Sequence, residues 1–331
     1  MCYLFLVIFS LWAASGTAQD WEDEQVFPEE QAARVLTVLS STDTSFFASI
    51  IEGFIARNPS VQVRYLVTST AEIDTVFRAS PAAFDIVISS AMDLQIKLAN
   101  DGLALEIEGL NYPNWAAWRR SLFAFTTEPA AIVINRAAFA GQSVPETRQD
   151  LIQVLRAQPE AFEDKLGTYD VRVSGVGYLF ATQDARTSET YWRLMEVMGS
   201  LGTRLYCCSG DMIEDLAAGR ITVAYNVLGS YAIARTDLAD QIEVILPADF
   251  QTTMMRTALV SAQTGQPELA TAFIRHLIDA QSNEDMFPLP PLQDAAKAGQ
   301  PTITLEPALM TYLDALKKRT FLDEWVNAVI Q

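Results

Sequence analysis

RVLTVLSSTDTSFFASIIEGFIARNPSVQVRYLVTS, residues 34–69, changes its hydrophobic period twice. RVLTVLSS is β-rich and ends in hydroxyls. From Phe46 onward Phe46, Phe47, Ile50, Ile51, Phe54 and Ile55 recur at helical spacing on one face. Asn58-Pro59 stops that helix, because the residue before a proline is pushed out of the helical region. VQVRYLVTS then alternates as a strand should. Strand, short helix and strand make one βαβ unit, which predicts a parallel pair of neighbouring strands.

The same alternation runs outward along the chain. AEIDTVFRAS is a short helix closed before Pro81, FDIVISS (84–90) a third strand, and a helix through Leu98 ends at Asn100-Asp101-Gly102. SLFAFTT and AAIVINR (121–136) read as two extended segments around Glu128-Pro129, with helices near 146–156 and 159–165. VRVSGVGYLFA (171–181) reads as a strand, 188–201 as a helix, and RLYCC as a strand. The helix SGDMIEDLAAG leads into the strand TVAYN; IEVILP and MRTALVS are strands, and QPELATAFIRHLIDA is a helix. The expected fold class is α/β, with mainly parallel sheets flanked by helices.

Composition bounds the function. The 331 residues are 50% hydrophobic and carry a formal net charge of −18, which repels nucleic acid and anionic lipid surfaces. That length suits about two domains. MCYLFLVIFSLWAASGTA (1–18) reads as a secretory signal peptide, its apolar run too short for a comfortable membrane span and its Cys2 at the wrong end for lipid modification; the alternative is a retained anchor helix. Residues 19–32 are expected as an acidic, mobile leader. The expected destination is outside the cytoplasm.

Hydroxyls recur where strands end. Ser40, Ser41 and Thr42 close the first strand, and Ser89 and Ser90 the third. SGVGY (174–178) closes a middle strand, and AYNVLGSYA (224–232) adds Asn226, Gly229, Ser230 and Tyr231 to another. Each serine taken alone is also an ordinary helix cap. Taken together they describe ligand binding outside the carboxyl ends of the strands of an open sheet. Helix starts there offer free N–H groups that suit an anion, so a small carboxylate or phosphate ester is the expected ligand.

The ordered set VLTVLSSTDTSFFASIIEGFIARNPSVQV, FDIVISSAMDLQIKLANDG, EPAAIVINR and GRITVAYNVLGSYA, followed by IEVILPADF, resembles the periplasmic solute-binding proteins of ABC importers. It is most similar to the iron(III)-type and phosphoglycerate-transport-regulatory group, over residues 33–330. The resemblance implies a two-lobed periplasmic-binding-protein-like fold with two crossing hinge strands, near Phe125–Thr127 and Pro247–Thr253. Lobe 1 would comprise 33–125 and 254–331, and lobe 2 residues 126–253. It also implies ligand contacts at Ser40, Ser41, Ser89, Ser90, Asn226 and Tyr231, completed by Ser174, Gly175 and Tyr178, with Arg256 as a counter-charge. The implied function is non-enzymatic: a monomer that closes on a small-molecule solute, without cofactor, and presents it to an ABC permease. The alternatives are a periplasmic sensor acting on a two-component histidine kinase and a ferric-ion binding protein. Iron-binding members use neighbouring tyrosines, whereas Tyr225 and Tyr231 are six apart, and strand alternation sends Tyr225 away from the Asn226 face.

Other features exclude chemistry. One histidine, His276, cannot build a zinc cluster or a His-based triad, and it is expected to pack or lie at the surface. GVG lacks the GK[ST] ending of a phosphate loop. Asp211, Glu214 and Asp215 read as a solvated helix face, and Trp115 and Trp118 as packing against the neighbouring lobe. Cys207-Cys208 are expected as two free thiols, because adjacent Cα atoms sit closer than a disulfide usually spans and strand alternation separates the side chains; the alternative is a vicinal disulfide, which an exported compartment favours and which needs a twisted backbone before Ser209-Gly210.

Overall fold

A computed structural model describes residues 20–28, 32–283, 285–292 and 303–331. The signal peptide assigned to 1–18 lies outside these. The strands are β1 (Asp23–Phe27), β2 (Arg34–Ser40), β3 (Val61–Val67), β4 (Ile86–Ser89), β5 (Ala117–Trp118), β6 (Leu122–Ala124) and β7 (Glu128–Asn135). They continue with β8 (Leu166–Tyr169), β9 (Arg204–Tyr206), β10 (Val223–Leu228), β11 (Ile242–Ile245), β12 (Thr253–Met254) and β13 (Thr257–Val260).

The opening stretch folds as read. β2 and β3 run parallel from Arg34↔Val61 to Ser40↔Val67, and the helix Thr44–Arg57 between them buries Phe47, Ile50, Ile51 and Phe54. One sheet has the order β1-β3-β2-β4-β13-β6-β5, and the other β11-β7-β10-β8-β9 with β12 paired to β7. Helices flank both, giving the two-lobed α/β architecture. Parallel pairing joins β2 with β3 and β4 inside the first sheet, and β8 with β10 and with the edge strand β9 in the second. The remaining strands are antiparallel, since β13 and β7 belong to the segments that pass between the lobes and arrive from the far side.

Three readings need correction. The leader is not all mobile: Asp23–Phe27 adds to the sheet edge in antiparallel register, Asp23↔Val67 to Phe27↔Val63. Its sequence does not alternate: Glu24 and Gln25 are exposed while Asp23, Val26 and Phe27 are half-buried, as suits an edge strand covered on part of its length. VRVSGVGYLFA is not a strand; the strand is the preceding LGTY, and Gly175–Thr187 is a helix capped by Ser174, whose Oγ accepts from the Gly177 N–H at 3.2 Å. The two glycines are there for close approach. A Cβ at Gly177 would lie 2.3 Å from the Tyr169 Cβ, and one at Gly175 2.9 Å from the Thr70 carbonyl of the other lobe. Finally, the C-terminal helix Ala315–Val329, which chain order assigns to lobe 1, buries Phe321 and Trp325 among Tyr191, Leu194 and Met198 of the second lobe.

The two crossings are laced together. The Phe125 N–H donates to the Arg256 carbonyl at 2.9 Å. The Arg256 guanidinium meets Glu128 through Nε at 2.9 Å and Nη2 at 3.0 Å, with both side chains fully buried.

Candidate functional site

Between the two sheets lies a cavity of about 410 Å³. The first lobe lines it with Glu22, Ser41, Asp43, Ser90 and the run Thr68–Thr70, and the second with Tyr169, the run Cys207–Asp211, Leu228 and Tyr231. The walls meet directly. The Val176 N–H donates to Thr70 Oγ1 at 3.1 Å, and the Phe46 and Tyr231 rings pack with centroids 4.9 Å apart.

Of the ten expected contacts, Ser41, Ser90 and Tyr231 line this cavity. Ser40 is one residue short. Its buried Oγ accepts from Tyr65 Oη at 2.7 Å and from the Thr42 N–H at 3.0 Å, which fixes the turn. Ser89 likewise accepts from the Ala91 N–H at 3.1 Å. Ser174, Gly175 and Tyr178 face a separate cavity of about 150 Å³, where Tyr178 donates to the Tyr312 carbonyl at 2.6 Å. Arg256 is engaged by Glu128, and its remaining nitrogen donates to Thr42 Oγ1.

Asn226 is turned away from the cavity. Its backbone is left-handed, φ 63°, at a bulge where β10 slips against β7 between Ala224 and Val227. Asparagine tolerates that region better than most residues. The bulge suspends alternation, so Tyr225 and Asn226 reach the same buried Asp184, at 2.7 Å and 3.1 Å. The expectation that the two side chains oppose each other is therefore corrected. Asp184 also accepts from Thr252, and Arg148 Nε donates to Tyr225 Oη at 2.6 Å. The Tyr225 phenol is committed to this cluster.

The cavity is acidic. Glu22, Asp43 and Asp211 line it, and no Lys, Arg or His does so among the described residues. Burial pushes the Glu22 carboxyl up, and the charges of Asp43, Glu72 and Asp211 push it further. Burial also raises Asp43, against the pull of Arg256 and a hydrogen bond from Tyr231. Burial holds the Tyr231 phenol protonated far above its ordinary range. Sequence reading missed Thr68–Thr70, although VTST ends β3 in the same hydroxyl pattern as β2 and β4. Glu22 and Asp211 carry no comparable signal, since acids this frequent look like surface.

Cys207 and Cys208 are joined as a disulfide, correcting the expected free thiols. The strand stops at Tyr206, so Cys207 sits in a bend and is released from strand alternation; the Cα atoms stay 3.8 Å apart. His276 is packed, with Nε2 2.8 Å from the Ile50 carbonyl and its ring beside Phe54 and Phe273.

The smaller cavity holds a titratable group. Asp93 is 2% exposed and hydrogen-bonded to the Leu94 N–H at 2.9 Å. Burial pushes its carboxyl from the usual 3.8 to about 7, opposed by that N–H and by Lys318. A raised carboxyl favours the fold below the unfolded value, and this contribution is lost as pH rises to about 7. At 1.36 kcal/mol per pH unit the ceiling is about 4 kcal/mol, and relaxation of the buried site should leave about 2 kcal/mol. Asp93→Asn is expected to gain stability over the parent progressively between pH 4 and pH 7. Urea midpoints at pH 4, 6 and 8 check this, and an equal gain at every pH would refute it.

Two α/β lobes, linked by crossing strands and enclosing a hydroxyl- and acid-lined cleft, define a solute-binding protein. The substrate-binding protein of an ABC transporter from Agrobacterium tumefaciens is 30% identical, over 93% of this chain and 98% of that one, with a TM-score of 0.86. The chain belongs to the substrate-binding proteins of ABC transporters. Its fold is also that of the fructose-6-phosphate-bound periplasmic binding protein AfuA from Actinobacillus pleuropneumoniae, at 11% identity over 90% and 99% of the two chains and a TM-score of 0.70. Iron-bound HitA from Pseudomonas aeruginosa gives 14% identity, 89% and 99% coverage and a TM-score of 0.65. No protein-family model and no curated protein matches the sequence. No helix among the described residues is long and apolar enough to cross a membrane.

Proposed function

We propose that the protein is an exported, periplasmic, monomeric binding protein that closes on a small solute and presents it to an ABC permease, without turnover or cofactor. The observation carrying this reading is a cleft walled from both lobes, with Ser41, Asp43 and Ser90 on one side and Tyr169, Asp211 and Tyr231 on the other. A solute touching both walls binds the closed arrangement more tightly than an open one, and that difference drives closure.

The wall chemistry argues against the anion expected from the strand ends. Two like charges about 4 Å apart repel by about 4 kcal/mol at an effective dielectric of 20. Helix starts of about half a charge each do not offset three carboxylates at that range. We therefore favour a solute with a protonated amine among hydroxyls, hydrogen-bonded by Ser41, Ser90 and Tyr231 and neutralised by Glu22, Asp43 and Asp211. The ferric reading loses its phenolate pair, since Tyr225 is bonded to Arg148 and Asp184. The sensor reading shares this cleft and differs only in the partner that receives the closed form; added to the purified permease, the loaded protein should stimulate its ATPase.

Thermal shifts with amino sugars, polyamines, phosphate esters, carboxylates and ferric citrate test the solute class. An amine-bearing compound should stabilise the protein strongly at pH 8 and less at pH 5, because protonating Glu22 and Asp43 removes the attraction. Stabilisation by phosphate esters alone would overturn the cationic reading and restore the anion.

A further inference from the structure

The disulfide forms part of the cleft wall, and it stands beside an acid. Cys207 Sγ lies 3.5 Å from Asp211 Oδ2, and one donor atom each from Cys207, Cys208 and Asp211 falls within 4.8 Å of the others. Both cysteines are half-buried at the cavity lining, and Asp211 is exposed and makes no ion pair among the described residues. A Cβ placed on Gly210, between Cys208 and Asp211 in sequence, would meet nothing within 4 Å, so the backbone joining them is uncrowded there.

We propose that opening this disulfide converts the wall into a site for a thiophilic divalent cation of the zinc type, with Cys207, Cys208 and Asp211 as its three protein ligands. A disulfide sulfur is a poor ligand, whereas a thiolate is a strong one. The step is a two-electron exchange with a dithiol. The dithiol gives two electrons and two protons and becomes a cyclic disulfide, and the S–S bond of Cys207–Cys208 breaks to leave two thiols. The cation then displaces those two protons and is held by two thiolates and the Asp211 carboxylate. Cys208 precedes the first turn of the helix Ser209–Ala217, whose unpaired N–H groups favour a thiolate there.

The fit is close. Donor atoms around tetrahedral zinc stand about 3.3 to 3.8 Å apart, as metal–ligand bonds of about 2.0 to 2.3 Å require. Once the S–S bond is broken, the sulfurs must move apart and the carboxylate inward, each by about 1 Å, to reach that spacing. With three protein ligands, a fourth position would be left for water or a solute. Two sulfurs select zinc over magnesium or calcium, which prefer oxygen ligands. This site goes beyond the solute reading and does not depend on it, because its probe is the metal alone.

The test uses the purified protein as isolated, the same protein reduced with dithiothreitol and desalted without oxygen, and two variants. Alkylation under denaturing conditions without reductant should label neither Cys207 nor Cys208 in the isolated protein and both after reduction. Zinc titration followed by native mass spectrometry should give one equivalent on the reduced protein and none on the oxidised one. The reduced double variant Cys207→Ser/Cys208→Ser should bind none, and Asp211→Asn at least ten-fold more weakly, both with unchanged circular dichroism. Labels on Cys207 and Cys208 of the isolated protein, equal zinc binding before and after reduction, or a reduced protein binding no better than the double variant would each overturn the proposal.

Discussion

Asp184→Ala should lower the unfolding free energy by about 3 to 5 kcal/mol, read as a fall in the urea midpoint. Asp184 is fully buried and answers four side chains at once: Tyr225, Asn226, Thr252 and the Arg148 guanidinium. Removing it strands a buried cation and three donors together, and unsatisfied buried groups are costly out of proportion to the bonds they made. Arg148 has a second acidic partner, Asp249, at 3.0 Å, but the Asp249 side chain is 24% exposed. Asp249→Ala should therefore cost about 1 kcal/mol or less. The contrast checks the argument. If both substitutions cost the same, burial of Asp184 is not what makes it important.

The second large effect belongs to Arg256 and Glu128. Arg256→Met should cost about 3 to 5 kcal/mol, because Glu128, with no exposed surface, would be left charged among Thr126, Ser230 and apolar neighbours. Replacing both ends is a different experiment. Arg256→Met combined with Glu128→Leu removes the desolvated charges together, and well-packed apolar replacements of buried ion pairs are often neutral. The double variant should recover more than half of the single loss. Additive losses across the cycle would mean the two residues act separately, contrary to the paired geometry.

The lobes were legible in the sequence because periodicity reports burial and burial follows from the sheet. The helix Thr44–Arg57 and strands β2, β3 and β4 needed no more than the apolar spacing. The stretch after Val171 misled because its β-branched residues carried the reading, while Gly175 and Gly177 were selected by neighbours distant in sequence, Thr70 and Tyr169. The cleft was legible by halves. Hydroxyls at strand ends identified Ser41 and Ser90, but the same residues one position earlier serve the turns. Asn226 looked like a ligand residue, but its amide is spent on Asp184 and its backbone takes the left-handed turn where the strand bulges. Arg256 looked like a free charge because Glu128 is remote in sequence. The acids of the cleft were hidden among 41 acidic residues, any of which composition alone assigns to the surface.

The helix Ala315–Val329 has a mechanical consequence. The run Pro307–Leu313 rests on the helix Met92–Asn100 of the first lobe, and the chain then continues onto the second, so it passes between the lobes once more after the two laced crossings. Two adjacent straps let one body both swing and twist against the other. In the closing motion proposed above, a third strap would stiffen the twist and leave the swing as the soft direction. The chain end would then act as a guide rail, holding the two walls of the cleft in register as the lobes part.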